Sequence, residues 1–195
     1  MEGHKALQEA KIDGSTTVVL AALDTENKTE CGSVKMNTVN LGDSAYMIIK
    51  PESSDSSSST PGVTKLFRSV EAQHYFNCPF QTGWRYSPPK RAKENSHAVR
   101  HNDIVVLATD GVTDNLFDEE IISDCIKPYL RPDGDLPSVK EAALCISAKA
   151  ECTSYSKVVE TPWTRAAVAA GYKREKEIGG KEDDITVIVA QVKTQ

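Results

Sequence analysis

A short apolar segment ends in an acidic glycine turn near the middle of the chain. Residues 104–108 carry no polar side chain, which is typical of a β-strand covered on both faces. Asp110 and Gly111 follow after one residue, and Asp114 comes a little further on. This order predicts a buried strand that delivers two carboxylates to the edge of a sheet.

Similar acidic turns flank this one on both sides. Asp43 lies between two predicted strands, and Asp183 lies just before the last predicted strand. Turns at one edge of stacked sheets share a surface, where a cation can offset the repulsion between carboxylates. Mg²⁺ and Mn²⁺ prefer carboxylate and water oxygens, so we predict a hard-cation site. Its candidate ligands are Asp43, Asp110, Asp114 and Asp183.

Each acidic turn taken alone has a simpler interpretation, because Asp-Gly is foremost a turn dipeptide. The four aspartates would then be turn residues of a plain α+β domain. Their shared position at strand ends favours the metal site. Such a site suits hydrolysis of a phosphate ester, since bound metal lowers the pKa of water and needs no protein nucleophile. The sequence contains no G-x-S-x-G elbow and no P-loop.

Length, charge and cysteine content narrow the classes of protein to which this chain could belong. The 195 residues predict one domain, and a net charge of −5 argues against a nucleic-acid partner. The longest apolar run, residues 18–23, is far short of the roughly 20 residues of a membrane span. Residues 1–10 show no signal-peptide core, so we expect a soluble, intracellular protein. Five cysteines without a CxxC motif predict buried free thiols rather than disulfides or a zinc site.

Strands come first along the chain, then helices, and a strand closes it. This order favours an α+β fold with antiparallel sheets over a doubly wound fold. A turn is predicted at 24–28 and a flexible, serine-rich loop at 51–62. The predicted strands are 16–23, 33–40, 45–50, 63–68, 104–108 and 185–192, and the predicted helices are 1–11, one from the N-cap Asp118 to Pro128, one from the N-cap Ser138 and one from the N-cap Thr161.

Residues 77–101 are predicted to be irregular and are rich in Lys and Arg. One interpretation is a solvated basic loop. The other is a segment that attracts phosphorylated substrates.

Four stretches, taken in order, resemble the metal-dependent protein serine/threonine phosphatases of the type 2C family. They are residues 14–17, 40–44, 107–115 and 180–187. Residues 77–81 and 181–189 resemble in particular the branch typified by mitochondrial and plastid enzymes. The resemblance implies a β-sandwich of two antiparallel sheets flanked by helices, with a binuclear Mg²⁺ or Mn²⁺ site at one end and a phosphorylated protein as substrate.

The resemblance also implies a role for each aspartate. Asp110 would be the central ligand of the first metal, and Asp183 would be its second carboxylate. Asp43 and Asp114 would join Asp110 at a third, weaker metal site. No side chain is implied as a catalytic group of its own. Asp184 stands where the family often has Asn and would support the turn.

The family's D-G-x-G-G motif, whose Asp bridges both catalytic metals, does not occur in this sequence, nor does its phosphate-binding basic residue. We therefore expect a C-terminal portion of such a phosphatase, with one incomplete domain over residues 1–195. Two functions stay open. The chain hydrolyses phosphoserine and phosphothreonine, or it is a weak or inactive remnant that acts as a phosphoprotein-binding or regulatory module. The resemblance implies a mitochondrial or plastid location.

Overall fold

A computed structural model describes residues 2–11, 13–28, 32–52, 61–83, 90–172 and 177–194, with only the backbone described at 7 and 26–28. The strands are β1 (Ser15–Thr16), β2 (Val18–Lys28), β3 (Val34–Leu41), β4 (Ala45–Pro51), β5 (Val63–Arg68), β6 (Gln73–Tyr75), β7 (Cys78–Pro79), β8 (Thr82–Gly83), β9 (Lys93–Val99), β10 (Ile104–Ala108) and β11 (Val187–Gln191). The helices are α1 (Glu2–Ala10), α2 (Asp110–Thr113), α3 (Asp118–Glu120), α4 (Val139–Ser154) and α5 (Pro162–Ala169). A π-helical segment, Ile121–Ile126, and a 3₁₀ turn, Lys127–Tyr129, follow α3.

Two antiparallel sheets form the frame of the protein. The larger has the strand order β11-β10-β4-β5, and the smaller has the order β2-β3-β9. Every pair of neighbours in these sheets is antiparallel. Two short pairs, β1-β8 and β6-β7, lie outside them. The predicted α+β class, with antiparallel sheets flanked by helices, is confirmed.

The larger sheet is the middle layer and separates two apolar clusters. Met47 and Ile49 of β4 belong to the cluster that includes α2 and α4. Tyr46 and Ile48, which alternate with them, belong to the cluster shared with Met36 of the smaller sheet. Strand β10 alternates in the same way, which explains why its sequence is apolar at every position. The prediction of a strand covered on both faces is confirmed.

Two of the three predicted helix starts are confirmed. The Ser138 hydroxyl accepts a hydrogen bond from the Glu141 amide, and the Thr161 hydroxyl accepts one from the Thr164 amide. The prediction of Asp118 as an N-cap is wrong by one residue, because Phe117 holds that position. The Asp118 carboxylate instead binds two cations of β5, Lys65 at 2.8 Å and Arg68 at 3.2 Å.

Two predictions about irregular segments are wrong. Strand β2 continues through the expected turn at 24–28, with a bulge after Asp24, because β3 supplies its backbone partners. The segment 77–101 contains β7, β8 and β9, although residues 84–89 lie outside the described residues. Strand β9 is an edge strand whose side chains are mostly exposed, so it lacks the apolar alternation that marks a strand in sequence.

The prediction that all the cysteines are free thiols is also wrong. Cys125 of the π-helical segment and Cys145 of α4 form a disulfide, with Cα atoms 5.4 Å apart. The packing of the two helical segments brings these cysteines together, and their spacing in the sequence does not indicate this contact. Cys78 and Cys152 are free, and Cys31 lies outside the described residues.

The predicted flexible loop at 51–62 lies mostly outside the part of the chain that the structure describes, at residues 53–60. Within the described ranges, no helix combines the length and the apolar character needed to cross a bilayer.

Candidate metal centre

Asp110 and Asp114 are held on one face of a short helix at the end of β10. Helix α2 begins directly after Thr109, and the Asp114 amide donates to the Asp110 carbonyl at 2.8 Å. Residues four apart on a helix project to the same side. The predicted strand and acidic turn therefore place two carboxylates together, as the sequence indicated.

The segment that carries Asp183 is tied to the same strand end. The Thr109 amide donates to the Thr186 carbonyl at 3.1 Å, and the Thr186 amide donates to the Thr109 hydroxyl at 3.0 Å. The same hydroxyl donates to the Asp184 carbonyl at 3.0 Å. This carbonyl lies so close to Gly111 that a β-carbon there would overlap it. Glycine is therefore required at Gly111 by the close approach of two backbones.

The Asn115 side chain links the segment that carries Asp110 to the segment that carries Asp183. Its side-chain amide donates to the carbonyls of Gly111 and Lys181, both at 2.8 Å. Its side-chain oxygen accepts from the Lys181 amide at 2.9 Å. Asn115 is buried, so these bonds form away from competing water.

The ammonium of Lys181 lies at the point where the carboxylates converge. Its Nζ is 2.6 Å from Asp114 Oδ2, 3.0 Å from Asp110 Oδ2 and 3.1 Å from Asp183 Oδ2. The Asp110 and Asp183 oxygens are therefore no more than about 6 Å apart. Among the described residues, no three acidic, imidazole or thiol groups already form a closed metal cage. Three carboxylates gather around a resident ammonium instead.

Asp43 lies near these carboxylates but forms no ion pair with Lys181. It is buried in the connection between β3 and β4. Burial raises the pKa of its carboxyl, the charge of Asp110 raises it further, and Lys181 opposes both. The charges of Asp110 and Asp183 both raise the pKa of the Asp43 carboxyl, so Asp43 lies near these two aspartates.

Burial has the largest effect on the pKa of Asp114, as it does for Asp43. Burial raises the pKa of Asp114 to about 7, although its hydrogen bond to Lys181 acts in the opposite direction. The pKa of the Lys181 ammonium is raised well above its usual range by Asp114 and Asp110, against the effect of burial. Asp43 and Asp114 thus hold carboxyl groups where water has limited access, whereas Asp183 is exposed.

Three residues of this region were not singled out from the sequence. Asn115 lies in the stretch 107–115 and Lys181 in the stretch 180–187, but only the fold shows that they bind each other. Glu71 is the third: partial burial raises the pKa of its carboxyl, Arg68 opposes this, and Asp43 and Asp110 raise it further. No periodicity or motif spacing marks Glu71, because it lies in the connection between β5 and β6.

The donor set fits a hard divalent cation. Carboxylate oxygens are the ligands that Mg²⁺ and Mn²⁺ prefer. The Lys181 ammonium acts as a stand-in ion, because it already occupies a position within hydrogen-bond distance of three of these carboxylates. Asp110, Asp114 and Asp183 are therefore arranged to hold positive charge.

Known proteins similar to this chain were found by sequence and by structure. A scan against protein-family models gave no match. The chain is 31% identical over 193 residues to "Probable protein phosphatase 2C 62" of Arabidopsis thaliana, covering 97% of this chain and 23% of that protein. It is 30% identical over 190 residues to "Protein phosphatase PTC7 homolog" of Homo sapiens, covering 92% of this chain and 54% of that protein. The sequence relatives and structural neighbours of this chain are type 2C protein phosphatases.

Solved type 2C phosphatases share the fold as well. The photosystem II phosphatase PBCP superimposes with a TM-score of 0.70 at 27% identity, over 97% of this chain and 70% of that one. The serine/threonine phosphatase PstP of Mycobacterium tuberculosis superimposes with a TM-score of 0.55 at 15% identity, over 98% and 68%. The chain spans between about a quarter and just over half of the two curated type 2C relatives described above.

Proposed function

We propose that this chain carries the metal-binding part of a phosphatase centre that hydrolyses phosphoserine and phosphothreonine in proteins. The convergence of Asp110, Asp114 and Asp183 on one cationic point carries the proposal. Similarity to type 2C protein phosphatases supplies the reaction class. A phosphorylated protein is the proposed partner.

Mg²⁺ or Mn²⁺ would be held chiefly by Asp110 and Asp183, with Asp43 and Asp114 joining Asp110 at a weaker neighbouring site. When bound, such ions lower the pKa of coordinated water and neutralise charge on the phosphate. Asp110 is fixed at the start of α2, and Asp183 is fixed through the Thr109–Thr186 backbone pairing. This rigidity keeps the two carboxylates at a constant separation, which a metal with strict geometry requires.

The burial of the centre favours the same chemistry. Asp43 and Asp114 are shielded from water, and burial raises the pKa of both carboxyls. An added cation relieves the cost of keeping these charges together. No side chain among the described residues is proposed as a nucleophile, since attack by metal-activated water needs none.

A second candidate function is a phosphoprotein-binding or regulatory module with weak or no turnover. The ammonium of Lys181 favours it, because this cation already neutralises part of the carboxylate charge. The two candidates make different predictions for turnover, and share the prediction of a cation at the same aspartates.

Hydrolysis of a phosphothreonine peptide by the 195-residue chain in the presence of Mn²⁺ tests the first candidate. We expect Asp110→Asn to lower the rate by at least about a hundredfold, because it removes the central carboxylate. Glu94→Gln on the exposed edge strand β9 is the matched control and should leave the rate unchanged. Equal rates for wild type and Asp110→Asn would rule out the role of Asp110.

Calorimetry separates the second candidate from the first. Mn²⁺ binding that is abolished in Asp110→Asn, together with no measurable turnover, would favour the module. Absence of Mn²⁺ binding in the wild type would remove both candidates.

We also infer that the substrate protein lies in a mitochondrion or plastid. The resemblance of residues 77–81 and 181–189 to the organellar branch supports this inference, as does the similarity to the photosystem II phosphatase PBCP. A fluorescent fusion of the intact gene product that labels neither organelle would contradict it.

A further inference from the structure

Lys181 is an unusual neighbour for a set of metal-binding carboxylates. Its Nζ lies within 3.1 Å of an oxygen of Asp110, Asp114 and Asp183. The Lys181 side chain is only 17% exposed, so salt and water screen these ion pairs less than pairs on an open surface. One ammonium therefore offsets part of the charge of three carboxylates.

The backbone of Lys181 is anchored on both sides. Asn115 forms hydrogen bonds with both its amide and its carbonyl, at 2.9 and 2.8 Å. The preceding Gly180 amide donates to the Ser156 carbonyl at 2.8 Å, and a β-carbon on Gly180 would overlap the backbone at the end of α4. The root of the side chain is thus fixed, and the ammonium reaches the carboxylates from a constant position.

We propose that Lys181 is the counter-ion of this centre in the metal-free protein, and that a divalent cation binds by displacing its ammonium from Asp110 and Asp183. The inference rests on the proposed function, because it requires these two aspartates to be metal ligands. The ammonium hydrogen-bonds to carboxylate oxygens that a metal would use, and two cations on the same oxygens repel each other.

Two consequences follow for the protein. Before metal arrives, Lys181 holds three mutually repelling carboxylates together and stabilises the fold around them. During binding, the same charge lowers the apparent affinity, because the metal must compete with it. Lys181 thereby acts as a positioning residue that sets the metal concentration at which the centre fills.

Calorimetric titration of Mn²⁺ into wild type and Lys181→Met tests the competition. Methionine keeps an unbranched apolar side chain and removes the charge. We expect Lys181→Met to bind Mn²⁺ more tightly by on the order of tenfold. Lys157→Met is the matched control, since Lys157 contacts Glu182 of the same segment at 3.8 Å but none of the three aspartates. Its affinity should stay within about twofold of wild type.

Thermal unfolding provides a readout that does not depend on activity. Without metal, Lys181→Met should unfold at a lower temperature than wild type, because its carboxylates repel each other unopposed. Saturating Mn²⁺ should narrow this difference. A purely structural role for Lys181 would leave the difference the same with and without metal, and that result would overturn the proposal.

The failure of this inference can be told apart from the failure of the proposed function. If wild type binds Mn²⁺ through Asp110 and Lys181→Met binds no tighter, Lys181 does not compete with the metal, and the proposed metal centre still stands. If neither protein binds Mn²⁺, the metal centre itself is wrong, and the inference falls with it.

A spectroscopic measurement covers the case in which Lys181→Met does not fold. In protein labelled with ¹⁵N-lysine, the Lys181 ammonium protons should exchange slowly in the metal-free state, and their signal should be absent from Lys181→Arg. Addition of Mg²⁺ should shift this signal or broaden it by faster exchange. An unchanged Lys181 signal at saturating Mg²⁺ would overturn the proposal.

Discussion

Asn115 and Lys181 exchange two hydrogen bonds that join the helix after β10 to the segment before β11. The Lys181 amide donates to Asn115 Oδ1 at 2.9 Å, and Asn115 Nδ2 donates to the Lys181 carbonyl at 2.8 Å. Asn115 is 2% exposed and also binds the Gly111 carbonyl. A single buried amide thus sets the distance between the two acidic turns.

Replacement of Asn115 by alanine should destabilise the protein and loosen the centre. The change removes one buried and two part-buried hydrogen bonds and leaves backbone groups of Gly111 and Lys181 without these partners. We expect a loss of about 2–4 kcal/mol in the free energy of unfolding, measured in urea. Asn95→Ala on exposed β9 is the control and should change it by less than about 0.5 kcal/mol. Equal losses in the two variants would contradict this assignment.

Substitution of Gly111 by alanine should separate Asp110 from Asp183. The added β-carbon would overlap the Asp184 carbonyl, so one backbone must move. We expect a loss of roughly 1–3 kcal/mol in stability, together with weaker Mn²⁺ binding in calorimetry. Gly3→Ala in helix α1 is the matched control, because its added carbon meets nothing within 4 Å. Wild-type Mn²⁺ affinity in Gly111→Ala would show that the turns need not approach so closely.

Reduction of the Cys125–Cys145 disulfide should lower stability. The bond closes a loop with a sequence separation of 20 residues, and constraint of the unfolded chain by such a loop contributes about 3 kcal/mol. Urea unfolding with and without dithiothreitol measures the difference. Cys152→Ser, which changes an exposed free thiol, should show the same dependence on reductant as wild type. If dithiothreitol left the free energy of unfolding of wild type unchanged, a disulfide at this position would be contradicted.

The stability of the protein should depend on His97 as pH falls. Burial lowers the pKa of His97, and its Nε2 is within hydrogen-bond distance of the Tyr46 hydroxyl, at 2.9 Å. The unfolded chain therefore takes up this proton first, near pH 6.5. The contribution of His97 is present above that pH and is lost as pH falls through it towards the lower folded-state pKa.

Melting temperatures of wild type and His97→Gln between pH 7.5 and about 5 test this dependence. Wild type should lose more stability over that interval than His97→Gln, which cannot titrate. His74→Gln serves as the control, because His74 is exposed, and it should follow the wild-type curve. Parallel curves for wild type and His97→Gln would exclude His97 as the source.

The predictions from sequence that proved correct concern local patterns. The apolar run at 104–108 became β10, because each of its two faces meets a different apolar cluster. Ser138 and Thr161 became N-caps, since a hydroxyl at that position satisfies an amide within the same turn. The edge strand β9 was not predicted, because its mostly exposed side chains do not alternate between apolar and polar.

The sequence by itself determined that Asp110 and Asp114 would share a turn and that acidic turns would sit at strand ends. Those relationships span only a few residues, so spacing encodes them. Only the tertiary structure decided that Lys181 enters the carboxylate cluster, that Asn115 fixes it there, and that Cys125 reaches Cys145. These contacts join segments from 20 to 71 residues apart, and the packing of sheets and helices sets such distances.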